Sequence, residues 1–218
     1  MKRTLAYICF IIFILPVKAQ TTPDGSAPQF LFPEFSMSKV KMKNGSSQSI
    51  ILNYNTVSEK MVYDKANNLY DMLNTEMIDT VFIQDCKFVP AGKVFYEVLL
   101  AESISLFVQY KGELMSPGAV AGYGGTSRVS NTKNLSSVNL SSGYYNLKLP
   151  ADYTVRLDQV YWIRKDNNMF TYTSERQFLK LFPDKEAELK QFIKKYHINF
   201  DKLPDQIRLV ERLNELSR

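Results

Sequence analysis

Between Phe35 and Met115, apolar and polar side chains alternate with a period of two, and this pattern constrains the fold more than any other feature. A period of two sends successive side chains to opposite faces of an extended strand. In SKVKMK it places Val40 and Met42 on one face and Lys39, Lys41 and Lys43 on the other. Asn44-Gly45 follows, a pair that predicts a type I′ hairpin turn because both residues tolerate positive φ, and SQSIILNY is the return strand. MVYD and LYDML flank a second turn at residues 65–68. DTVFIQ carries three adjacent apolar residues, as expected of a strand buried on both faces. KVFYEVLL and SISLFVQY are separated by Ala101-Glu102 and predict a further hairpin. There Val94, Tyr96, Val98 and Leu100 are expected to share one face, and Ile104, Leu106, Val108 and Tyr110 another.

The stretch SPGAVAGYGGTSRVSNTKNLSSVNLSSG interrupts this alternation. Six of the nine glycines lie between Gly112 and Gly143. We read residues 116–142 as a long surface connection, a length usually used for binding or left disordered. Its AGYGGT portion, Gly122, Tyr123, Gly124, Gly125 and Thr126, is the candidate binding loop. YYNLKLP resumes the alternation, and VYWIRK and MFTYT form a last hairpin around residues 166–168. The period then changes. Ser174 and Gln177 have capping-box spacing ahead of Phe178, Leu179 and Phe182. Asp184 is expected to cap a second helix carrying Leu189, Phe192, Ile193 and Tyr196, and a third runs from about Pro204 with Ile207, Val210 and Leu213 inward. The expected class is α+β: an antiparallel β meander or barrel-like sheet, then a C-terminal module of about three short helices.

The first residues read differently from the rest. Lys2 and Arg3 precede LAYICFIIFILP, and Val17 and Ala19 stand three and one residues before a cut after Ala19. This is the pattern of a secretory signal, with an apolar run too short for a permanent membrane span. Cys9 lies within that run after Ile8, which does not fit a lipoprotein cleavage site. Four segments are therefore expected: a signal peptide at 1–19, a leader at 20–34, a β domain at 35–173 and a helical module at 174–218. In the leader, Phe30 and Phe32 are expected to pack onto the domain together with Phe35. Residues 1–19 hold Lys2, Arg3 and Lys18 and no acid, so their removal leaves 24 basic against 22 acidic side chains. That balance carries no case for nucleic acid. Cys86 then stands as the sole cysteine, which excludes an intramolecular disulfide.

The residues that could carry chemistry are few. His197 is the only histidine, and with Cys86 it makes no zinc spacing. Near a helix C-terminus its expected role is to complement the helix dipole, and Cys86 reads as a buried small hydrophobe rather than a nucleophile. No GxSxG elbow is present. The glycine cluster lacks both the lysine of a phosphate loop and the helix that follows a dinucleotide fingerprint. No catalytic set, metal or cofactor is expected. Glu97 is the most interesting carboxylate, set in an apolar strand, and is expected to face solvent. Asp152 and Asp158 read as loop acids. Tyr144, Tyr145, Tyr153, Tyr161, Trp162, Phe170 and Tyr172 concentrate after the loop. Core packing is their default use; Tyr144, Tyr161 and Tyr172 are the candidate aromatic surface. The Lys39, Lys41 and Lys43 stripe reads as the solvated face of an edge strand.

CKFVPAGKVFYEVL, LFVQYKGEL, AGYGGTS, YNLKLP, YWIRKD and RQFLKLFPDKEAELKQFIKKYHINF together resemble a family of uncharacterised exported proteins of Bacteroidota, over most of the chain after the signal. The closing helical pattern is also similar to tails on other exported proteins of that group. The resemblance implies a periplasmic or outer-envelope location and assigns no activity. It also implies that Asp79-Thr80-Val81 matches a triplet O-glycosylated in that lineage. With the residues above, it leads us to expect a non-enzymatic envelope protein that binds or scaffolds a protein, glycan or lipid headgroup. A carboxylate-dependent hydrolase of envelope polymers and a structural subunit of an envelope complex are the alternatives. Because residues 1–19 match a signal, N-terminal sequencing of the exported protein should begin at Gln20; a chain beginning at Met1 would overturn the cleavage site.

Overall fold

A computed structural model describes residues 27–65, 68–115, 119–121, 125–127, 144–145 and 154–218. Most of the alternating stretches are strands. They are β1 (Ser36–Met42), β2 (Ser47–Asn55), β3 (Lys60–Lys65), β4 (Asn68–Asp71), β5 (Ile78–Ile83), β6 (Cys86–Ala91), β7 (Val94–Leu100) and β8 (Ser105–Met115). After these come two short strands, β9 (Ala119–Ala121) and β10 (Gly125–Ser127), then β11 (Tyr144–Tyr145), β12 (Thr154–Lys165) and β13 (Asn168–Tyr172). Eleven of them form one sheet in the order β11-β4-β3-β2-β1-β5-β6-β7-β8-β12-β13, while β9 and β10 pair separately. Three helices follow, α1 (Glu175–Lys180), α2 (Glu186–Tyr196) and α3 (Leu203–Leu216). The class is α+β, with strands first and helices last. No helix among the described residues is long and apolar enough to cross a membrane.

Local chemistry departs from expectation at identifiable places. Only Gly45 of the Asn44-Gly45 pair has positive φ, and the Gly45 amide donates to the Met42 carbonyl at 3.0 Å. The hairpin therefore uses a three-residue loop with glycine in the left-handed position, not a type I′ turn. Asp166 and Asn167 both take positive φ, so the two-residue turn that tolerates this occurs between β12 and β13. β1 lies between β2 and β5, so its exposed lysines stand on the outer face of a central strand rather than guarding an edge. In β5, Val81 and Ile83 are buried but Phe82 is 37% exposed, so one face of that strand meets solvent. Thr80, of the Asp79-Thr80-Val81 triplet, is buried, and its hydroxyl donates to Asp79 Oδ2 at 3.0 Å. Residues 119–121 and 125–127, read as part of an irregular connection, pair as a short hairpin.

The sheet curls until β2 meets β8. β7 begins at Val94, which leaves the far end of β8 without that neighbour, and the Gly112 amide there donates to the Thr56 carbonyl at 2.8 Å. A Cβ at position 112 would fall on Thr56 Oγ1 and within 2.8 Å of Val155 Cγ1, so the approach requires glycine. Tyr54, fully buried, stacks on Phe88 at 5.5 Å and sends its hydroxyl to the carbonyls of Phe95 (3.4 Å) and Tyr110 (3.2 Å). The inner face is largely apolar, with Val40, Leu52, Met61, Val81, Ile83, Phe88, Phe95, Leu106, Val108 and Ile163 all at zero exposure. On the outer face of β2, Asn53 binds the leader: its amide donates to the Phe32 carbonyl at 2.8 Å and its oxygen accepts from the Phe32 amide at 3.2 Å. Phe32 and Phe35 are buried, as their apolar character predicted.

The helices cover the part of the inner face that the curl leaves open. Ser174 Oγ accepts from the Gln177 amide at 3.4 Å, while Gln177 reaches back to the Thr173 amide at 2.8 Å, one residue before the expected partner. Pro183–Lys185 forms a single 3-10 turn, and Lys185, not Asp184, precedes α2. Phe178, Leu179, Phe182, Leu189 and Ile193 are buried, whereas Tyr196 is 44% exposed. On α3 the buried stripe is Gln206, Leu209, Val210, Leu213 and Asn214, with Ile207 half-buried. Asn214 is fully engaged: its oxygen accepts from Ser103 Oγ (2.8 Å) and the Ile104 amide (2.9 Å), and its amide donates to the carbonyls of Ile104 (2.9 Å) and Val210 (3.1 Å). Deleting it strands buried donors and acceptors on both elements. Asn214→Ala should lower unfolding free energy by about 2–4 kcal/mol in urea titrations. A loss below about 0.5 kcal/mol, the scale of an inert surface change, would show that the amide does not hold α3 to the sheet.

Candidate functional site

Strand pairing decides which side chains meet inside. Glu97 lies opposite Val108 on β8 and Phe88 on β6, both inward residues, so it also points inward. This reverses the expected solvent-facing placement. The buried face of β7 is Phe95 and Glu97, while Val94, Tyr96, Val98 and Leu100 are half-buried, and the register slips between Val98 and Leu100. Tyr110 donates to Glu97 Oε2 at 2.6 Å, and the Cys86 thiol hydrogen-bonds to the same carboxylate. Burial, then the hydrogen bond to Glu97 and its charge, push the Cys86 thiol up to about 12. Tyr110 is pushed far above the ordinary phenol range by the same causes in the same order. The glutamate is thus a buried acceptor held by two neutral donors. It is not a carboxylate presented to a substrate.

The Cys86–His197 pair does not form. Cys86 is committed to Glu97, and His197 is exposed at the C-terminal end of α2 with φ of 50°, its amide donating to the Ile193 carbonyl as a left-handed cap. Among the described residues, no three His, Cys, Asp or Glu side chains come together.

The aromatic surface is largely withdrawn from solvent. Tyr161 and Tyr172 are 4% and 2% exposed, because they face each other across β12 and β13 on the side the helices cover. Tyr144 pairs with Tyr70 through the β11 backbone. Of the candidate loop, Gly122, Tyr123 and Gly124 lie outside the described residues, as does Asp152, whereas Gly125 and Thr126 belong to β10.

Tyr161 and Tyr172 nevertheless reach an open cleft of about 550 Å³, completed by Leu157, Asp158, Gln159, Thr173, Phe200 and Asp201. Three elements build it. β13 stops at Tyr172, so residues 154–160 of β12 run on with β8 as their only strand partner among the described residues. Alternation brings Leu157, Gln159 and Tyr161 to one face. Across from them, the link between α2 and α3 supplies Phe200 and Asp201. Gln206, fully buried, joins the two sides: its oxygen accepts from the Tyr172 hydroxyl at 2.6 Å and its amide donates to the Phe200 carbonyl at 3.0 Å. The Phe200 ring meets Tyr172 and Phe178 edge-on, each at 6.2 Å. A second amide fixes the strand side, where Tyr161 donates to Gln159 Oε1 at 2.7 Å. Burial, and then the Asp201 charge, raise Tyr161 to about 12.

Asp158 belongs to β12 rather than to a loop, and alternation sends its carboxylate to the opposite face. There Arg156 meets it at 3.4 Å and pairs with Glu113 at 2.5 Å. Asp158 and Asp201 therefore do not form the facing carboxylate pair that glycoside hydrolysis uses. Gln206 and Asn214 escaped sequence reasoning, although two amides eight residues apart on an apolar helical stripe were a visible signal. Comparison with family models, with curated proteins and with solved structures returned no match for this chain.

The Cys86 thiol supplies a test of the interior. Glu97→Gln keeps an acceptor for Tyr110 and removes the charge, so the thiol should titrate below about 12. Alkylation by iodoacetamide at pH 8.5 should then run at least threefold faster than in the parent, since the thiolate is the nucleophile. An unchanged rate would mean that burial alone holds the thiol.

Proposed function

We propose that the chain is an exported cell-envelope protein that binds or scaffolds another envelope component without catalysing a reaction, and that the cleft beside Tyr161 and Phe200 is where the component is held. The observation that carries this reading is the construction of that cleft. Its two sides come from the strand domain and the helical module, and the buried Gln206 amide locks them at fixed separation. A concave site with aromatic sides and a few converging polar groups, formed where two parts of a fold meet, is the usual setting of ligand binding. Its polar groups are also arranged for holding. Tyr161 is tied to Gln159, and the carboxylate of Glu97 lies outside the cleft, enclosed by Tyr110 and Cys86. The secretory pattern of residues 1–19 and the resemblance to exported proteins of Bacteroidota support the envelope as the setting.

Site-specific photo-crosslinking tests the reading in intact cells. Leu157 lines the cleft and is 44% exposed; Met37 on β1 is 66% exposed and lies outside it. A photoreactive residue at 157 should give one adduct of defined mass, and the same residue at 37 should not. Phe200→Ala in the 157 variant should reduce the adduct at least fivefold. Equal labelling at both positions, or labelling indifferent to Phe200→Ala, overturns the cleft as the binding seat.

A further inference from the structure

The polar groups of the cleft are not neutral in what they offer. Tyr161 has one proton and donates it to Gln159 Oε1 at 2.7 Å, so its phenolic oxygen is left as an acceptor only. Asp201 is an acceptor in any pose, and its charge acts on that phenol. The backbone around Asp201 is pinned: its amide donates to Asn199 Oδ1 at 2.9 Å, and the Asn199 amide donates to Asp205 Oδ2 at 3.1 Å. Among the described residues no Lys or Arg lines the cleft; Arg156 is engaged with Glu113 and Asp158 on the other face of β12. The remaining lining is Leu157, the Phe200 and Tyr172 rings, Asp158 and Thr173, whose hydroxyl already donates to Gln177 Oε1 at 3.0 Å.

We infer that this cleft takes a primary ammonium group carried on an unbranched aliphatic chain, with the ammonium between the Asp201 carboxylate and the Tyr161 oxygen and the methylenes along Leu157 and Phe200. An ammonium has three donors and no acceptor, which matches an acceptor-rich, negatively charged corner. Aromatic faces attract cations as well as alkyl chains, so the ring walls add to the carboxylate. A neutral sugar carries no charge to meet the Asp201 carboxylate. An anionic headgroup would meet Asp201 as a like charge. The inference rests on the cleft being the binding seat, and it names the chemistry of what sits there. Two sources carry this group in an envelope: a lysine side chain of a protein, and the ethanolamine headgroup of a lipid.

The test is an amide chemical-shift titration of the protein with cadaverine, 1-pentanol and methyl β-glucoside as separate probes. Cadaverine should shift the amides of residues 157–161, 173 and 200–201, with an apparent Kd that weakens at least threefold between 50 and 300 mM NaCl, about the change expected when one exposed ion pair is screened. Asp201→Asn should weaken it at least tenfold, roughly the loss of one charge-assisted contact, and Tyr161→Phe at least threefold, roughly one neutral hydrogen bond. Glu113→Gln should leave it within about twofold, since Glu113 does not line the cleft and pairs with Arg156 on the other face of the sheet. Glucoside binding at the same amides with cadaverine silent would overturn the ammonium and keep the cleft as a seat; silence of all three probes in a folded protein would overturn both. Cadaverine affinity indifferent to Asp201→Asn would also overturn the ammonium. Competition then separates the sources. Displacement of cadaverine by N-acetyl-lysine amide but not by phosphatidylethanolamine vesicles assigns a protein lysine, the reverse assigns the lipid, and displacement by neither overturns the proposed chemistry.

Discussion

The structure depends on how a sheet of eleven strands hides one apolar face. Each inward residue of β1, β2, β5, β6, β7, β8 and β12 adds to a surface that water would otherwise meet, at roughly 25 cal/mol per Å². The chain covers it in two ways. One half curls until β2 reaches β8, which is possible because Gly112 lets the Thr56 carbonyl approach its amide. The other half, from β8 to β13, is covered by three helices. Tyr54 and Asn214 do corresponding work in the two halves, since each sends polar atoms across the interior to backbone groups of another element. Such bonds fix position more sharply than apolar contact, because a misplacement leaves a buried polar group unpaired.

That division explains what could be read from the sequence. Strand positions followed from the alternation, the hairpin of β12 and β13 from Asp166-Asn167, and the helices from the change of period at Ser174. Which face of β7 turned inward did not follow. Val94, Tyr96, Val98 and Leu100 make the more apolar face, yet Phe95 and Glu97 are the buried pair. The preference is set by register against Phe88 and Val108, a relation between distant residues that periodicity does not contain. The tyrosines illustrate the same limit. Core packing, the default use of these rings, is what Tyr161 and Tyr172 follow; the candidate surface role fails because the helices that bury them come later in the chain. What remained of that expectation is narrower. They form the strand side of a cleft, and the side opposite comes from Phe200 and Asp201, which had drawn no attention in the sequence.

Gln206 links this geometry to use. Its amide has one acceptor and two donors, and it spends them on both sides of the cleft: the Tyr172 hydroxyl on the sheet and the Phe200 carbonyl on the link between α2 and α3. A fully buried amide with partners on two elements resists the sliding that an apolar contact would allow. The cleft is therefore kept open by the same contacts that dock the helical module. Separation of α3 from the sheet would remove one of its sides, so anything bound between Tyr161 and Asp201 would stabilise the docked module by mass action. Binding and docking are linked in both directions. A ligand in the cleft makes the helical cover harder to lift, and the undocked protein has no such site to offer.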